Sequence, residues 1–225
     1  MPRRGGGPAD RATQLSKALS WLLRHHAESE GFKLLPGGFL PVADILQHRR
    51  FTGFTVAEVE AVVRDCPKQR FSLQQGEAGQ LLIRANQGHS IDTVEVELQE
   101  ITEATAAPKV IHGTNMKVGK CWCFSVPMFL HIQAWGIIKT DGLSKMKRNH
   151  IHMAAGEPGE AGVISGMRTS APVHIHIDLE RGLAAGIKFY RSANGVILSP
   201  GDKDGIIPPE YFKKVINVQT GQPIL

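Results

Sequence analysis

The sequence predicts an α+β fold in two lobes, a helical N-terminal lobe that ends in a β-hairpin and a β-rich C-terminal lobe. Three observations predict it. Helical apolar periodicity in the first 65 residues gives way to strand-type alternation over 70–85. An acidic stretch with Ala and Pro at its end follows at about 91–108. Beyond it, short β-type runs alternate with glycine-rich turns. Helices followed by a hairpin are typical of a winged-helix lobe, although a fold does not determine a function.

The charge balance favours an anionic partner. The 225 residues include 26 Lys and Arg against 21 Asp and Glu, with a net charge of +5 and a pI near 9.2. Nucleic acid, a nucleotide or a phosphate would suit this charge, and a basic solvated surface explains it equally well. Three cysteines without CxxC spacing indicate a reducing compartment. With neither a signal peptide nor an apolar run of roughly 18 residues, we expect an intracellular protein, cytoplasmic or nuclear, without membrane contact.

Changes in composition place the boundaries. Residues 1–13 are predicted to be a disordered basic tail, 14–100 the winged-helix lobe, 101–108 a linker and 109–225 the second lobe. We expect the chain to be a monomer.

The first helix ends on an unusual sequence, WLLRHH at 21–26. Its apolar positions recur at i, i+3, i+4, i+7 and i+8, the stripe of a helix packed on a core: Leu15, Ala18, Leu19, Leu22 and Leu23. A step of 100° per residue puts His26 near the middle of this stripe, His25 at its edge and Arg24 on the far side. Periodicity therefore predicts that His26 is buried, and it does not say which of the three performs chemistry.

Three further patterns complete the first lobe. GFLPVADIL (38–46) predicts a turn and a short helix, and TVAEVEAVVRD (55–65) predicts a helix with a capping box of Thr55 and Glu58. RFSLQQGEAGQLLIRA (70–85) alternates polar and apolar residues around a glycine-bearing turn and predicts the hairpin.

The second lobe reads as a series of short strands with one helix. The strand candidates are KVIHGT (109–114), RNHIHMA (148–154), APVHIHIDL (171–179) and FYRSANGVILSPG (189–201), and AWGIIKTDGL (134–143) is helical.

Two histidine pairs and one glycine-rich loop are the local candidates for a ligand site. His150 with His152, and His174 with His176, each put two imidazoles on one side of a strand. Neither pair has an obvious carboxylate or cysteine partner, so we predict packed histidines and no metal. The loop GEPGEAGVISGMR (156–168) matches neither a P-loop nor GxGxxG. Its backbone near Ser165 and Gly166, with Arg168 beside them, is a candidate cradle for a pyrophosphate.

Three arginines lie at the junctions of predicted elements, Arg24 at a helix end, Arg70 before the hairpin and Arg148 before a strand. Each alone is typical of a surface arginine. If they converged, their guanidinium groups would match the oxygens of a phosphate monoester. Sequence alone does not show that they converge.

Seven blocks in order resemble the tRNA 2′-phosphotransferase family over residues 14 to about 216. They are QLSKALSWLLRHH, KQRFSL, RANQGHS, IHGTN, KRNHIH, GVISGMR and FYRSANGVIL. The resemblance implies that the C-terminal lobe is ADP-ribosyltransferase-like and binds NAD, with no metal required. The implied substrate is tRNA, or another RNA, with an internal 2′-phosphate left by ligation.

The resemblance also implies a two-step reaction. The 2′-phosphate attacks the anomeric carbon of the nicotinamide ribose, nicotinamide leaves, and ADP-ribosylated RNA forms. The ribose 2″-hydroxyl then attacks the phosphorus and expels the RNA 2′-hydroxyl, which releases ADP-ribose 1″,2″-cyclic phosphate.

The family's functional residues can be placed on this chain by matching its motifs. The implied catalytic set is Arg24, His25, Arg70 and Arg148, which would leave His26 as a structural residue. The implied NAD contacts are His112, Gly113 and Thr114 of IHGTN with Ser165, Gly166 and Arg168 of VISGMR.

Residues 118–133, VGKCWCFSVPMFLHIQ, interrupt the family pattern, in which HGTN leads directly into the AWGIIKTDGL helix. The segment is too apolar for a solvated loop and too irregular for a regular element. One hypothesis is a lid over the NAD pocket. We favour a translated short intron, because Val codons begin with GT, CAG encodes Gln, and excision keeps the reading frame.

Two other functions stay open. In the first, the chain is an ADP-ribosyltransferase that modifies terminal phosphates of nucleic acid and does not perform the second step. In the second, it is a catalytically impaired isoform that binds nucleic acid through its winged helix.

Overall fold

Two separate apolar cores organise a mixed α/β fold with several small sheets. The computed structural model describes residues 8–94, 96–115, 134–164 and 166–225. The chain divides into two units, residues 1–97 and 98–225, and each unit encloses its own core. No helix among these described residues is long and apolar enough to cross a bilayer.

The first unit packs helices on a small antiparallel sheet. Its helices are α1 (Pro8–Trp21), α2 (Val42–Gln47) and α3 (Val56–Arg64). Its strands are β1 (Leu40–Pro41), β2 (Phe71–Gln75) and β3 (Leu81–Ala85), in the order β1-β3-β2. Ile83 pairs with Leu73 on one side and Leu40 on the other, so the centre of the sheet faces the core.

Local sequence explains these elements well. The capping box of α3 is confirmed: the Thr55 side chain accepts from the Glu58 backbone, and the Glu58 carboxylate accepts from the Thr55 N–H. Val59 and Val62 of α3 are buried. The predicted hairpin over 70–85 is confirmed in β2 and β3.

The predicted start of the first helix is wrong. Helix α1 begins at Pro8, so residues 8–13, which sequence assigned to a disordered tail, are helical. Proline is favoured in the first helical turn because its missing N–H has no partner to lose there. Residues 1–7 lie outside the described residues.

The second unit is mostly strand. Its helices are α4 (Ala134–Asp141) and α5 (Leu179–Ala184). Its strands are β4 (Gln99–Ile101), β5 (Ile111–Thr114), β6 (Leu143–Ser144), β7 (Ile151–Met153), β8 (Val173–Ile177), β9 (Lys188–Arg191), β10 (Ile197–Gly201), β11 (Ile206–Ile207), β12 (Phe212–Asn217) and β13 (Gln222–Pro223).

Two four-stranded antiparallel sheets form the body of this unit. One has the order β4-β9-β10-β7 and the other β13-β12-β8-β5, and β6 pairs with β11 in a separate ribbon. A β-bridge between Ile111 and Ala154 joins the start of β5 to the end of β7. These two strands, from different sheets, therefore lie side by side.

The structure places the division between the units earlier than the sequence did. Strand β4 pairs with β9, so residues 99–101 belong to the second unit and not to the first lobe. The predicted linker at 101–108 contains the end of β4 and a 3-10 turn at Ala104–Ala106. Ile101 and Ala107 are buried, which explains why this segment is packed and not a free linker.

Candidate active site

The end of the first helix is a π-helical turn over Leu22–His26. A π turn takes more residues than an α turn, and such turns are frequent at functional sites. Leu22 and Leu23 stay in the core, Arg24 is half-buried and His25 is exposed. The helical period changes at this turn. A uniform step of 100° per residue therefore does not give the correct burial for His26.

His26 is held by packing. Its ring stacks on Trp21 with 4.4 Å between centroids and an interplanar angle of 18°, and its Nδ1 lies 3.2 Å from the Trp21 carbonyl oxygen. It is half-buried, not buried as periodicity predicted. These contacts agree with a structural role for His26.

The segment from Asn86 to Ser90 supports Arg24 and His25. His25 Nδ1 lies 2.9 Å from Ser90 Oγ, which fixes the orientation of the imidazole. The Ser90 N–H donates to the Arg24 carbonyl oxygen at 2.9 Å. A Cβ placed on Gly88 would lie 3.5 Å from the Arg24 guanidinium carbon, so the arginine side chain runs over this glycine.

Arg70 is held by the same segment. The Asn86 N–H donates to the Arg70 carbonyl oxygen at 2.9 Å, and Asn86 Nδ2 donates to the Gln69 carbonyl oxygen at 2.7 Å. The Ser72 hydroxyl donates to Asn86 Oδ1 at 2.6 Å. Asn86 is therefore fixed on both sides, and one short segment supports Arg24, His25 and Arg70.

Sequence analysis missed the roles of Asn86 and Ser90. Both lie in the RANQGHS block that contributes to the family resemblance, but the sequence patterns predict no role for either. A short polar segment directly after a hairpin strand was the available signal.

Arg70 also reaches the thiol of Cys66 and lines a groove. Its Nη1 donates to Cys66 Sγ at 3.3 Å. Burial raises the pKa of this thiol, but the backbone N–H groups of Arg70 and Lys68 and the Arg70 guanidinium outweigh burial, so the pKa is lowered. The groove has a volume of about 710 Å³ and is also lined by Lys17 and Ser20 of α1. Cationic and hydroxyl groups beside Arg70 suit a phosphate-bearing ligand.

In the second unit, the hydrogen bond, burial and charged neighbour of His112 determine its protonation state. His112 Nδ1 lies 2.9 Å from the His152 carbonyl oxygen, and since a carbonyl only accepts, Nδ1 carries the proton. Burial lowers the pKa of His112, the bond to His152 raises it, and the charge of Arg148 lowers it further. The net pKa is below the usual range, so the imidazole is neutral near pH 7 and its Nε2 is an acceptor. Arg148 is exposed.

Gly113 and Gly166 have packing reasons to be glycine. A Cβ on Gly113 would lie 2.8 Å from Met167 Sδ. A Cβ on Gly166, whose φ is +124°, would lie 2.6 Å from both the Met153 carbonyl oxygen and the Ala154 Cα. The Gly166–Met167 stretch is therefore pressed between β5 and the end of β7.

The remaining predicted NAD contacts are distributed around this stretch. Thr114 is half-buried at the end of β5, and Arg168 is exposed two residues after Gly166. Ser165 lies outside the described residues. His112, Gly113, Thr114 and Gly166 thus gather where β5 and β7 meet.

The His-x-His pairs behave differently from each other. His150 packs against Tyr190 with ring centroids 6.2 Å apart, and burial, then the charge of Lys145, lowers its pKa. His174 and His176 do have a carboxylate partner, Glu157, which corrects the expectation that none joins them. In the described part of the chain, no three His, Cys, Asp or Glu side chains are placed to hold a metal ion.

Comparisons with known proteins identify the family. The profile of the RNA 2′-phosphotransferase, Tpt1 / KptA family matches residues 10–120 and 130–201. The chain is 43% identical over 218 residues to tRNA 2′-phosphotransferase 1 of Homo sapiens, covering 96% of this chain and 80% of that protein. It is 37% identical over 213 residues to tRNA 2′-phosphotransferase of Saccharomyces cerevisiae, covering 92% and 84%.

A bacterial relative extends the comparison. The chain is 36% identical over 207 residues to a probable RNA 2′-phosphotransferase of Nostoc punctiforme, covering 91% of this chain and 98% of the relative. The profile match omits residues 121–129, which fall inside the segment 118–133 that sequence analysis identified as an interruption. On either side of that gap the match is continuous, and the chain belongs to the RNA 2′-phosphotransferase, Tpt1 / KptA family.

Proposed function

We propose that this chain is an NAD-dependent tRNA 2′-phosphotransferase that removes the splice-junction 2′-phosphate from ligated tRNA. The products are ADP-ribose 1″,2″-cyclic phosphate and nicotinamide, formed through an ADP-ribosylated RNA. The observation that carries the proposal is the match to proteins named tRNA 2′-phosphotransferase over more than nine-tenths of the chain.

Arg24 and Arg70 are proposed to bind the 2′-phosphate. A phosphate monoester carries two negative charges or nearly so at neutral pH, and guanidinium groups match its oxygens with charge-assisted hydrogen bonds. Both arginines are half-buried, and the 86–90 segment bonds to the backbone of both. Such support lets them bind charge that develops on phosphorus without first reorganising.

His25 is proposed to transfer a proton in the second step. The attacking phosphate of the first step is already an anion and needs no base, whereas the 2″-hydroxyl must lose a proton and the RNA 2′-hydroxyl must gain one. Ser90 orients the imidazole through Nδ1. Arg148, in the second unit, is proposed as a catalytic residue because the family resemblance implies that role.

NAD supplies the anomeric carbon that accepts the phosphate. The residues fit it: His112 offers an acceptor Nε2 for a ribose hydroxyl, and Thr114 offers a hydroxyl. The backbone of Gly166, with Ser165 and Arg168 beside it, is proposed to cradle the pyrophosphate. Close packing of Gly166 on the Met153 carbonyl holds that backbone in place.

We further propose that the first unit is a winged-helix lobe and that the second unit is ADP-ribosyltransferase-like. Three helices and a three-stranded antiparallel sheet in the first unit support the former. Two four-stranded antiparallel sheets, whose strands β5 and β7 meet beside the candidate NAD residues, support the latter.

The test is incubation of the full chain with NAD and a synthetic RNA that carries one internal 2′-phosphate. We expect dephosphorylated RNA, nicotinamide and the cyclic phosphate, all dependent on NAD. The same RNA without the 2′-phosphate is the control. Accumulation of ADP-ribosylated RNA alone, or modification of 5′-phosphorylated DNA instead, would show that the chain is an ADP-ribosyltransferase that stops after the first step. If no nicotinamide is released, the remaining alternative is a protein that binds nucleic acid without catalysis.

A further inference from the structure

Glu157 connects the loop before the candidate NAD segment to two buried histidines. Its Oε2 lies 2.8 Å from His174 Nδ1, and its Oε1 lies 3.4 Å from His176 Nε2. The second distance is within ion-pair range but lacks hydrogen-bond geometry. Both histidines lie on β8 and are less than a tenth exposed, whereas the Glu157 side chain is 35% exposed.

The protonation of this cluster follows from its contacts. A carboxylate only accepts, so His174 Nδ1 carries a proton and donates it to Glu157. Burial lowers the pKa of His176, the charges of Lys214, His174 and Lys109 lower it further, and Glu157 opposes them, so His176 is neutral near pH 7. No described residue makes a hydrogen bond to Nε2 of His174. Glu157 is therefore the hydrogen-bond partner that the described residues give to His174.

A second contact fixes the same loop. Glu160 forms an ion pair with Lys109, two residues before β5. The Glu157 N–H donates to Glu160 Oε2 at 3.1 Å, and the Val163 N–H donates to the Glu160 carbonyl oxygen at 3.1 Å. Hydrogen bonds within residues 156–163 thus hold this loop together. Glu157 and Glu160 attach it to β8 and to Lys109.

The anchored loop leads directly into the candidate NAD segment. Only Ile164 and Ser165 separate Val163 from Gly166, which packs on β7, and Met167, which lies over Gly113 of β5. Between the end of β7 and the start of β8 the described residues contain no helix or strand. A connection of this length is ordered only by specific contacts, and long connections without regular structure are often functional.

We propose that Glu157 is a positioning residue for NAD: through His174 and His176 it holds the 156–163 loop, and thereby residues 166–168, in the conformation that binds the dinucleotide. The inference rests on the proposed function. Without the contact from Glu157 to His174, NAD binding must itself order residues 166–168. The free energy spent on that ordering weakens the affinity for NAD. The chemical step, once NAD is bound, does not involve Glu157.

The experiment compares steady-state kinetics of the full chain with Glu157→Ala and Glu157→Gln. We expect Glu157→Ala to raise the KM for NAD about tenfold, equivalent to about 1.4 kcal/mol, with kcat and the KM for RNA within about twofold of wild type. Glutamine keeps an oxygen that accepts from His174 Nδ1, so Glu157→Gln should stay within about threefold. Glu180→Ala, on an exposed residue of α5, is the matched control.

Two further measurements separate positioning from loss of structure. Hydrogen exchange without NAD should be faster at amides 156–168 in Glu157→Ala and unchanged in β12. In a His174→Ala background, Glu157→Ala should add less than about twofold to the KM for NAD, because its partner is already gone.

An unchanged KM for NAD in Glu157→Ala, or a fall in kcat with all KM values unchanged, would overturn the inference. Failure of the proposed function is distinct, since the wild-type chain would then not process the 2′-phosphorylated RNA at all. NAD titration by calorimetry tests Glu157 in that case too, and equal dissociation constants for wild type and Glu157→Ala would count against it.

Discussion

At the scale of single residues, adjacent histidines have different environments. His25 is exposed and bonded to Ser90, while His26 is half-buried and stacked on Trp21. The stacked, half-buried side chain and the exposed side chain are thus adjacent positions of one π turn.

We predict that His25→Ala lowers turnover by at least about 100-fold with little change in stability, because a positioned proton-transfer group contributes about 10²–10⁴-fold. His26→Ala should instead lower the free energy of unfolding by about 1 kcal/mol through loss of its aromatic stack. Single-turnover assays and urea denaturation measure the two effects. A larger loss of turnover in His26→Ala than in His25→Ala would mean that His26 is the catalytic residue.

Ser90 should matter through His25. Ser90→Ala removes the oxygen that orients the imidazole, so we expect kcat to fall about tenfold with the KM for RNA nearly unchanged. Ser29→Ala is the matched control, because the Ser29 hydroxyl donates only to the His26 carbonyl oxygen and is exposed. A wild-type kcat in Ser90→Ala would show that the hydrogen bond does not orient His25.

His112 should make stability depend on pH. Burial, with the charge of Arg148, lowers its folded pKa below the ordinary 6.5. The unfolded chain therefore binds the proton more readily, so the contribution of His112 is fully present above about pH 6.5 and is lost as pH falls through the folded pKa. His112→Asn does not titrate and keeps a donor for the His152 carbonyl.

Between about pH 7 and pH 5, His112→Asn should lose less unfolding free energy than wild type. Urea denaturation across this range measures it. Because burial also lowers the pKa of His150 and His176, the variant should keep part of the slope. Parallel curves for the two proteins would show that His112 is not forced neutral by folding.

At the scale of elements, the stretch at 166–168 depends on a close backbone approach. Gly166→Ala adds a methyl group 2.6 Å from the Met153 carbonyl oxygen at a φ of +124°. Gly162→Ala also has a positive φ, +82°, but no atom lies within 4 Å of the added Cβ. The two substitutions share backbone strain, and only the first forces the segment away from β7.

We therefore predict that Gly162→Ala costs about 1 kcal/mol of stability and keeps NAD affinity, while Gly166→Ala also weakens NAD binding by about tenfold or more. Thermal unfolding and calorimetric NAD titration provide the two readouts. Equal NAD affinities in both variants would argue against a role for this stretch in binding.

At the scale of the whole molecule, the segment 118–133 contains a break in the match to the family. The family profile is interrupted over 121–129, within this segment, and the segment lies outside the described residues. It contains two phenylalanines, one tryptophan and two cysteines. Apolar sequence of this kind favours aggregation when it is exposed.

Deletion of Val118–Gln133 should raise solubility and leave NAD-dependent 2′-phosphate removal equal or higher, since the family profile omits residues 121–129 of this segment. Soluble yield and specific activity of the deleted and full chains are the measurements. A deletion variant that folds, judged by cooperative unfolding, but loses activity would show that the segment is a working part of the NAD site.

The sequence by itself determined the local elements and the family. The capping box of α3, the hairpin of β2 and β3 and the apolar stripe of α1 depend on residues a few positions apart, so periodicity and turn chemistry predict them. The ordered blocks from QLSKALSWLLRHH to FYRSANGVIL were enough to predict the enzyme class, and the comparisons confirm it.

Only the tertiary structure decided which residues support the candidate catalytic groups. Ser90 reaches His25 across 65 positions, and Glu157 reaches His174 across 17. No local pattern encodes such pairs, because they form only after the apolar cores have fixed the course of the chain. The π turn at Leu22–His26 also depends on this packing: Leu22, Leu23 and Ala27 are all buried, and the longer turn between them leaves His25 exposed.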